Sequence, residues 1–306
     1  MDADAQARYI EGIIGPQEVG VMFAIFLLGL VTIQAFTYFR TYPNDPKGIK
    51  LLVAVVWALL SAHTLISTFA LYRRTVTNYG RISDLQQNPE GMCATFPLSG
   101  LIGAIVQSFF AWRLYRLSGW IKIAIICWTL SVVRLGSLLA ISVMTCRAAS
   151  LHEFQEHWVW LVFFALSVSA FLDFMIAGSM SYCLWSRRGD FFKHSQPALD
   201  RLIAWTIQTG ALTSISSILM LILYAVFQTN WAWMAAYMII GGMFANYLLA
   251  SLNARKDFRE DMNRNPTFLD VETSADFIDR PQYSLRTVAG RDDASSAGLT
   301  AHDCRA

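Results

Sequence analysis

The segment Val19 to Phe39 reads VGVMFAIFLLGLVTIQAFTYF and holds no charged side chain. At a rise of about 1.5 Å per residue, roughly 20 apolar residues carry a helix across a hydrocarbon core about 30 Å thick. The run is that long, so it predicts one bilayer crossing. Six further stretches share its character: Leu51 to Tyr72, Leu98 to Tyr115, Trp120 to Met144, Trp158 to Leu184, Leu202 to Phe227 and Trp231 to Ala254. The chain of 306 residues is 55% hydrophobic, 13% aromatic and only 15% charged, with a mean hydropathy of +0.41. Soluble domains carry about 25% charged residues. Here the charges gather in short islands, which is what lets the apolar runs reach spanning length. None of the runs alternates polar and apolar residues as a barrel strand must, and an isolated segment satisfies its backbone in hydrocarbon only as a helix. The predicted fold is an all-α integral membrane protein, a seven-transmembrane-helix bundle over residues 19–254.

Other residues punctuate the chain in the same places. All eight prolines (Pro16, Pro43, Pro46, Pro89, Pro97, Pro197, Pro266, Pro281) lie outside the apolar interiors or at their start, as their missing N–H requires. Tyr38, Tyr72, Tyr115, Trp120, Trp158, Trp160, Trp231 and Trp233 sit at span ends, where amphipathic rings favour the headgroup layer. The basic residues set the orientation. Arg40, Lys47, Lys50, Arg113, Arg116, Lys122, Arg187, Arg188, Lys193, Arg201, Arg255, Lys256, Arg259 and Arg264 fall on one side, against Arg8, Arg73, Arg74, Arg81 and Arg147 on the other. The positive-inside bias then puts the N-terminus outside and the C-terminus in the cytosol. Residues 1–18 are a short extracellular or lumenal segment with no evident cleavable signal. Residues 255–264 form a charged juxtamembrane segment, and the Ser/Ala/Asp-rich stretch 265–306 is predicted to be a disordered cytosolic tail. The destination is the plasma membrane or a secretory-pathway membrane. A net charge of +2 is too small for a nucleic-acid surface. The expected partners are the lipid bilayer, an unidentified small-molecule ligand and a cytosolic partner of the tail.

Arg134 is the side chain most at odds with its surroundings, near the middle of the fourth span, where a charge costs at least about 2.5 kcal/mol. Asp173 is the one carboxylate inside the seven apolar interiors and also lies near mid-span. The two spans run antiparallel, which brings the charges to depths about 6 Å apart, within an arginine's reach. A buried Arg134–Asp173 pair is therefore predicted, either as a structural clamp or as a ligand or ion site. His63 in the second span is a proton relay at its ordinary pKa of about 6.5, or a neutral ring bonded to a neighbouring helix. Thr206, Thr209, Thr213 and Ser216 share one face of the sixth span, beside Gln208 and Ser217. Such a stripe lines a polar cavity or bonds helix to helix. Gly241, Gly242, Ala245 and Ala250 read as close-packing positions in the seventh span. His152 and His157 accompany Glu153 and Glu156, but nothing designates a further ligand, so the segment reads as a solvated loop and no metal site is predicted.

Three groups of residues carry a resemblance: Tyr38-Phe39-Arg40-Thr41-Tyr42-Pro43-Asn44-Asp45, Thr77-Asn78-Tyr79-Gly80, and Leu248-Leu249-Ala250-Ser251-Leu252-Asn253-Ala254-Arg255-Lys256. Together with Asp173 and Ser186-Arg187-Arg188 they resemble a large family of multi-pass membrane proteins from mushroom-forming fungi, catalogued as a domain of unknown function. The resemblance runs from about the first span to Lys256. It implies a fungal seven-span protein and supplies no ligand, reaction or catalytic residue.

Cys93 precedes the third span and Cys146 follows the fourth, so both fall on the predicted outer side, where an oxidising compartment permits a disulfide. That placement resembles the bridge of G-protein-coupled receptors. The third span, however, ends Ala111-Trp112-Arg113-Leu114-Tyr115-Arg116 with no acidic residue before the arginine. The seventh has Asn246-Tyr247 without Asn-Pro-x-x-Tyr, and no lysine for a retinal Schiff base. The expected function is receptor-like or sensor-like in topology. A small-molecule or ion transporter with an Arg134/Asp173 midplane site is the alternative. No HExxH, GxSxG or paired-carboxylate motif occurs, so no enzyme activity, catalytic residue or cofactor is predicted.

Overall fold

Apolar runs that must satisfy their own backbone hydrogen bonds become helices, and among the described residues every regular element is helical. The computed structural model describes residues 3–78, 92–147, 151–186, 214–226 and 232–255, without the side chains of 3–10, 92, 151–156 and 184. Helix α1 covers Ala3–Thr41, α2 Lys47–Tyr72, α3 Met92–Ser118, α4 Ile121–Arg147, α5 Leu151–Ser186 and α7 Ala232–Asn253, with α6 at Ser214–Val226 between the last two. All but α6 have the length and composition of a bilayer crossing. The described α6 reaches about 20 Å at 1.5 Å per residue, short of a full crossing. The first half of the predicted span Leu202 to Phe227 lies outside the described residues, so six spanning helices stand where seven are predicted. The tail 265–306 and all of the juxtamembrane segment after Arg255 also lie outside them.

Two elements add to the sequence reading. Helix α1 begins at Ala3 and takes in Pro16, so most of the stretch predicted as a separate N-terminal segment continues the first helix. Ala3, Ala5, Gln6, Ala7 and Arg8 are strong helix formers that extend it past the apolar run. After α2 the chain continues as a π-helical turn, Arg73–Thr77. Arg74, counted among the outer basic residues, is buried there, and its Nη1 donates to Gln17 Oε1 of α1 at 3.1 Å.

Helix α7 is central: 56% of its spanning window is buried, twice the 28% of α1, α2 and α4. It packs on α1, α2 and α3, while α3 also contacts α4 and α5. Glycine permits the close approach of α1 to α7. A Cβ on Gly20 would lie 2.8 Å from the Ala235 Cα, and one on Gly242 would lie 2.9 Å from Leu27 Cδ1. Small residues at such an interface let backbones approach where no hydrophobic effect drives association. Phe23, Phe26 and Phe36 of α1, Leu65 and Phe69 of α2 and Phe174 of α5 point outward. That surface is an aggregation hazard in water and well matched to lipid.

Candidate functional site

Arg134 of α4 and Asp173 of α5 are both buried. Among the described residues no direct ion pair joins them, and both belong to one hydrogen-bonded chain. Gln107 of α3 stands between them, its Nε2 donating to Asp173 Oδ1 at 2.8 Å and its Oε1 accepting from Arg134 Nη1 at 3.4 Å. An amide has a donor end and an acceptor end, so it can link a cation to a carboxylate. Helix α3 supplies it because α3 packs against both α4 and α5. One turn earlier, Gly103 makes room for the guanidinium: a Cβ there would lie 2.9 Å from the Arg134 Cζ. On another side the Arg134 Cζ lies 5.2 Å from the Phe244 ring centroid of α7, a cation–π contact in a desolvated setting.

Beside the guanidinium lies a cavity of about 40 Å³. A water needs about 10–15 Å³ of such space, while pockets for drug-sized ligands run to roughly 300–1,000 Å³. Among the described residues its polar lining is Ser99, Arg134, Ser169, Ser217, Trp233 and Tyr237, and the rest of that lining is apolar. The Trp233 indole is buried, its Nε1 without a partner among the described residues, and meets the Tyr224 ring edge-on at 5.3 Å. The Tyr237 hydroxyl lies beside Thr95 and Ser99.

His63 is fully buried in α2, 6.3 Å from the Tyr237 ring in an edge-on contact. Among the described residues neither of its nitrogens has a hydrogen-bond partner. The group facing it on α7 is the Tyr237 ring. Thr206, Thr209 and Thr213 lie outside the described residues. Of the same predicted stripe, Ser216 donates to Met243 Sδ at 3.4 Å, and the adjacent Ser217 lines the cavity. Cys93 and Cys146 are joined in a disulfide with Cα atoms 5.8 Å apart, tying the start of α3 to the end of α4. Cys127 and Cys183 are buried free thiols. Among the described residues no group of three or more His, Cys, Asp or Glu is placed to hold a metal ion.

A second polar cluster occupies the opposite end of the bundle, and sequence reasoning gave it no role. Asp45, in the turn between α1 and α2, accepts from Tyr38 Oη at 2.9 Å and from Arg255 Nη2 at 2.7 Å. The Arg255 guanidinium stacks 4.7 Å over the Tyr42 ring, and Tyr42 Oη donates to the Asn253 carbonyl at 3.2 Å. Asn253 Nδ2 donates to the Gln34 carbonyl at 2.9 Å, and Arg113 Nη1 to Ser251 Oγ at 2.6 Å. This clasp closes the end of α7 onto α1, the turn after it and α3. Its two halves are the runs 38–45 and 248–256 that carried the family resemblance, so the signal was visible, but the contact between them was not.

Long apolar helices packed around a buried polar core define a polytopic membrane protein. Residues 169–257 match a family of unknown function, DUF6534. The matched stretch takes in the second half of α5, all of α6 and α7, and Arg255. It thus contains Asp173, Ser217, Trp233 and Tyr237, but not Gln107 or Arg134. No curated protein and no solved structure matches the chain.

Proposed function

We propose that this chain is a seven-helix receptor or sensor of the plasma membrane or a secretory-pathway membrane, with its N-terminus outside, its C-terminus cytosolic and Leu202 to Phe227 as its sixth span. The observation that carries the proposal is the polar asymmetry of the bundle. With this orientation, Ser99, Ser169, Ser217, Trp233 and Tyr237 lie in the outer half, around the cavity above Arg134. The Asp45–Arg255 clasp lies at the cytosolic end. A receptor needs polar groups approachable from outside and a cytosolic end whose closure can be biased by what binds there. The Cys93–Cys146 bridge lies on the same outer side, where an oxidising compartment maintains it. The proposed role is non-enzymatic.

Epitope tags at the two termini of the full chain in intact cells test the orientation. An N-terminal tag labelled without permeabilisation and a C-terminal tag labelled only after it are expected; the reverse pattern would overturn the proposal. The Arg134–Gln107–Asp173 chain at mid-span favours a second reading, a small-molecule or ion transporter. Proteoliposomes decide between the two: solute or ion flux above that of empty vesicles and lost in Asp173→Asn supports transport, and flux equal to empty vesicles supports the receptor.

A further inference from the structure

We infer that the cavity beside Arg134 is a binding site for a small monovalent anion of halide or formate size. This deepens the receptor reading by giving the ligand class of the same cavity, and it rests on that reading only for the side from which the ion enters. The first ground is the chemistry of the lining. Among the described residues its polar side chains are Ser99, Arg134, Ser169, Ser217, Trp233 and Tyr237. A guanidinium and an indole only donate, and a hydroxyl can turn its hydrogen toward an acceptor. Among the described residues no carboxylate, amide or imidazole side chain lines the cavity. Such a lining attracts a negative ion and gives a cation no strong acceptor.

The second ground is that two of these donors are buried and under-used. Trp233 is 4% exposed, and among the described residues its Nε1 has no partner. Arg134 is also 4% exposed, and among the described residues its one hydrogen bond is the long contact to Gln107 at 3.4 Å. A guanidinium carries five N–H groups, and buried donors without an acceptor are costly. The Asp173 carboxylate is engaged by Gln107 and does not touch the guanidinium, so positive charge remains available on the cavity side. One anion meeting both the guanidinium and the indole N–H would satisfy them together, in a low-dielectric setting that strengthens the attraction.

The third ground is size. About 40 Å³ admits a bromide, a formate or a few waters and excludes an organic ligand of ordinary dimensions.

The test uses the full chain purified in detergent micelles. Thermal unfolding is followed by circular dichroism while sodium gluconate is replaced by sodium bromide, and separately by sodium formate, at constant ionic strength. The expected result is a melting temperature that rises and saturates with bromide and with formate. Trp233→Phe keeps an aromatic side chain and deletes the indole N–H, and should raise the half-saturating bromide concentration about tenfold, the scale of one lost hydrogen bond to a charged group. Ser217→Ala should raise it several-fold and serves alone if Trp233→Phe does not fold. Equal melting in bromide, formate and gluconate would mean that the cavity holds only water and would overturn the inference. So would a bromide response unchanged in both variants. Neither result touches the tag-labelling test, and a reversed topology would leave the bromide curve as it is.

Discussion

The Asp45–Arg255 clasp yields the sharpest energetic prediction. At an effective dielectric of about 20, unit charges 2.7 Å apart attract by about 6 kcal/mol before desolvation and lost side-chain freedom are set against them. Exposed pairs retain about 0.2–1 kcal/mol of such attraction, whereas stripping one partner from a fully buried pair costs about 3–5 kcal/mol. The side chains here are 23% and 16% exposed, between those limits, so a net coupling of about 1.5 kcal/mol is expected, roughly tenfold in an equilibrium constant. Asp45→Ala also deprives the buried Tyr38 hydroxyl of its acceptor and should cost about 2.5 kcal/mol in all. Arg255→Ala also loses the stack on Tyr42 and should cost about 2 kcal/mol. The double variant should then cost about 3 kcal/mol, well short of the two single losses added together. Reversible unfolding in mixed micelles on increasing SDS, followed by tryptophan fluorescence, measures all four corners of the cycle. A coupling within about 0.3 kcal/mol of zero, the ordinary error of additivity, would refute the clasp as an energetic unit, and so would an Arg255→Lys variant as stable as the parent, since lysine cannot both pair with Asp45 and stack on Tyr42.

Three further outcomes follow from the buried polar chain and the disulfide. Gly103→Ala drives a methyl into the Arg134 guanidinium and should destabilise by about 1–3 kcal/mol; a melting curve superimposable on the parent's would show that the guanidinium has room to move. Gln107→Leu leaves a guanidinium and a carboxylate buried without the amide that links them and should cost about 3 kcal/mol or more, read as reduced yield of monodisperse protein and earlier unfolding, with parent-like behaviour counting against the relay. Cys93→Ser, Cys146→Ser and the double variant break the same bond and should each lose the same stability, about 2–4 kcal/mol; reductant should bring the parent down to their level, and unequal single losses or indifference to reductant would contradict the bridge.

The spans were legible because the hydrocarbon penalty acts residue by residue, so that a run such as Val19 to Phe39 declares itself without any knowledge of its neighbours. Arg134 and Asp173 stood out for the same reason. Gln107 did not, because an amide in an apolar run is far less conspicuous than a charge, and Gln34 and Gln208 occupy comparable settings. Depth along the bundle could be computed from residue number, which is why the two charges were expected to meet. Rotation of each helix about its axis could not, and it is rotation that turns Gln107 between them and Gly103 under the guanidinium. The sixth span shows the opposite case: its apolar length is plain in sequence, while only Ser214–Val226 of it is described as helix.

By itself, then, the sequence determined that the chain is helical and membrane-embedded, roughly where its crossings lie, and which two charges have to be accommodated in hydrocarbon, all of them consequences of local transfer cost. Only the tertiary structure decided what meets those charges, that Trp233 and Arg134 share a cavity, and that the runs 38–45 and 248–256 close on each other as a clasp. Such contacts depend on helix rotation and on how closely small residues such as Gly20 and Gly242 let helices approach, and these are settled by all the interfaces of the bundle together.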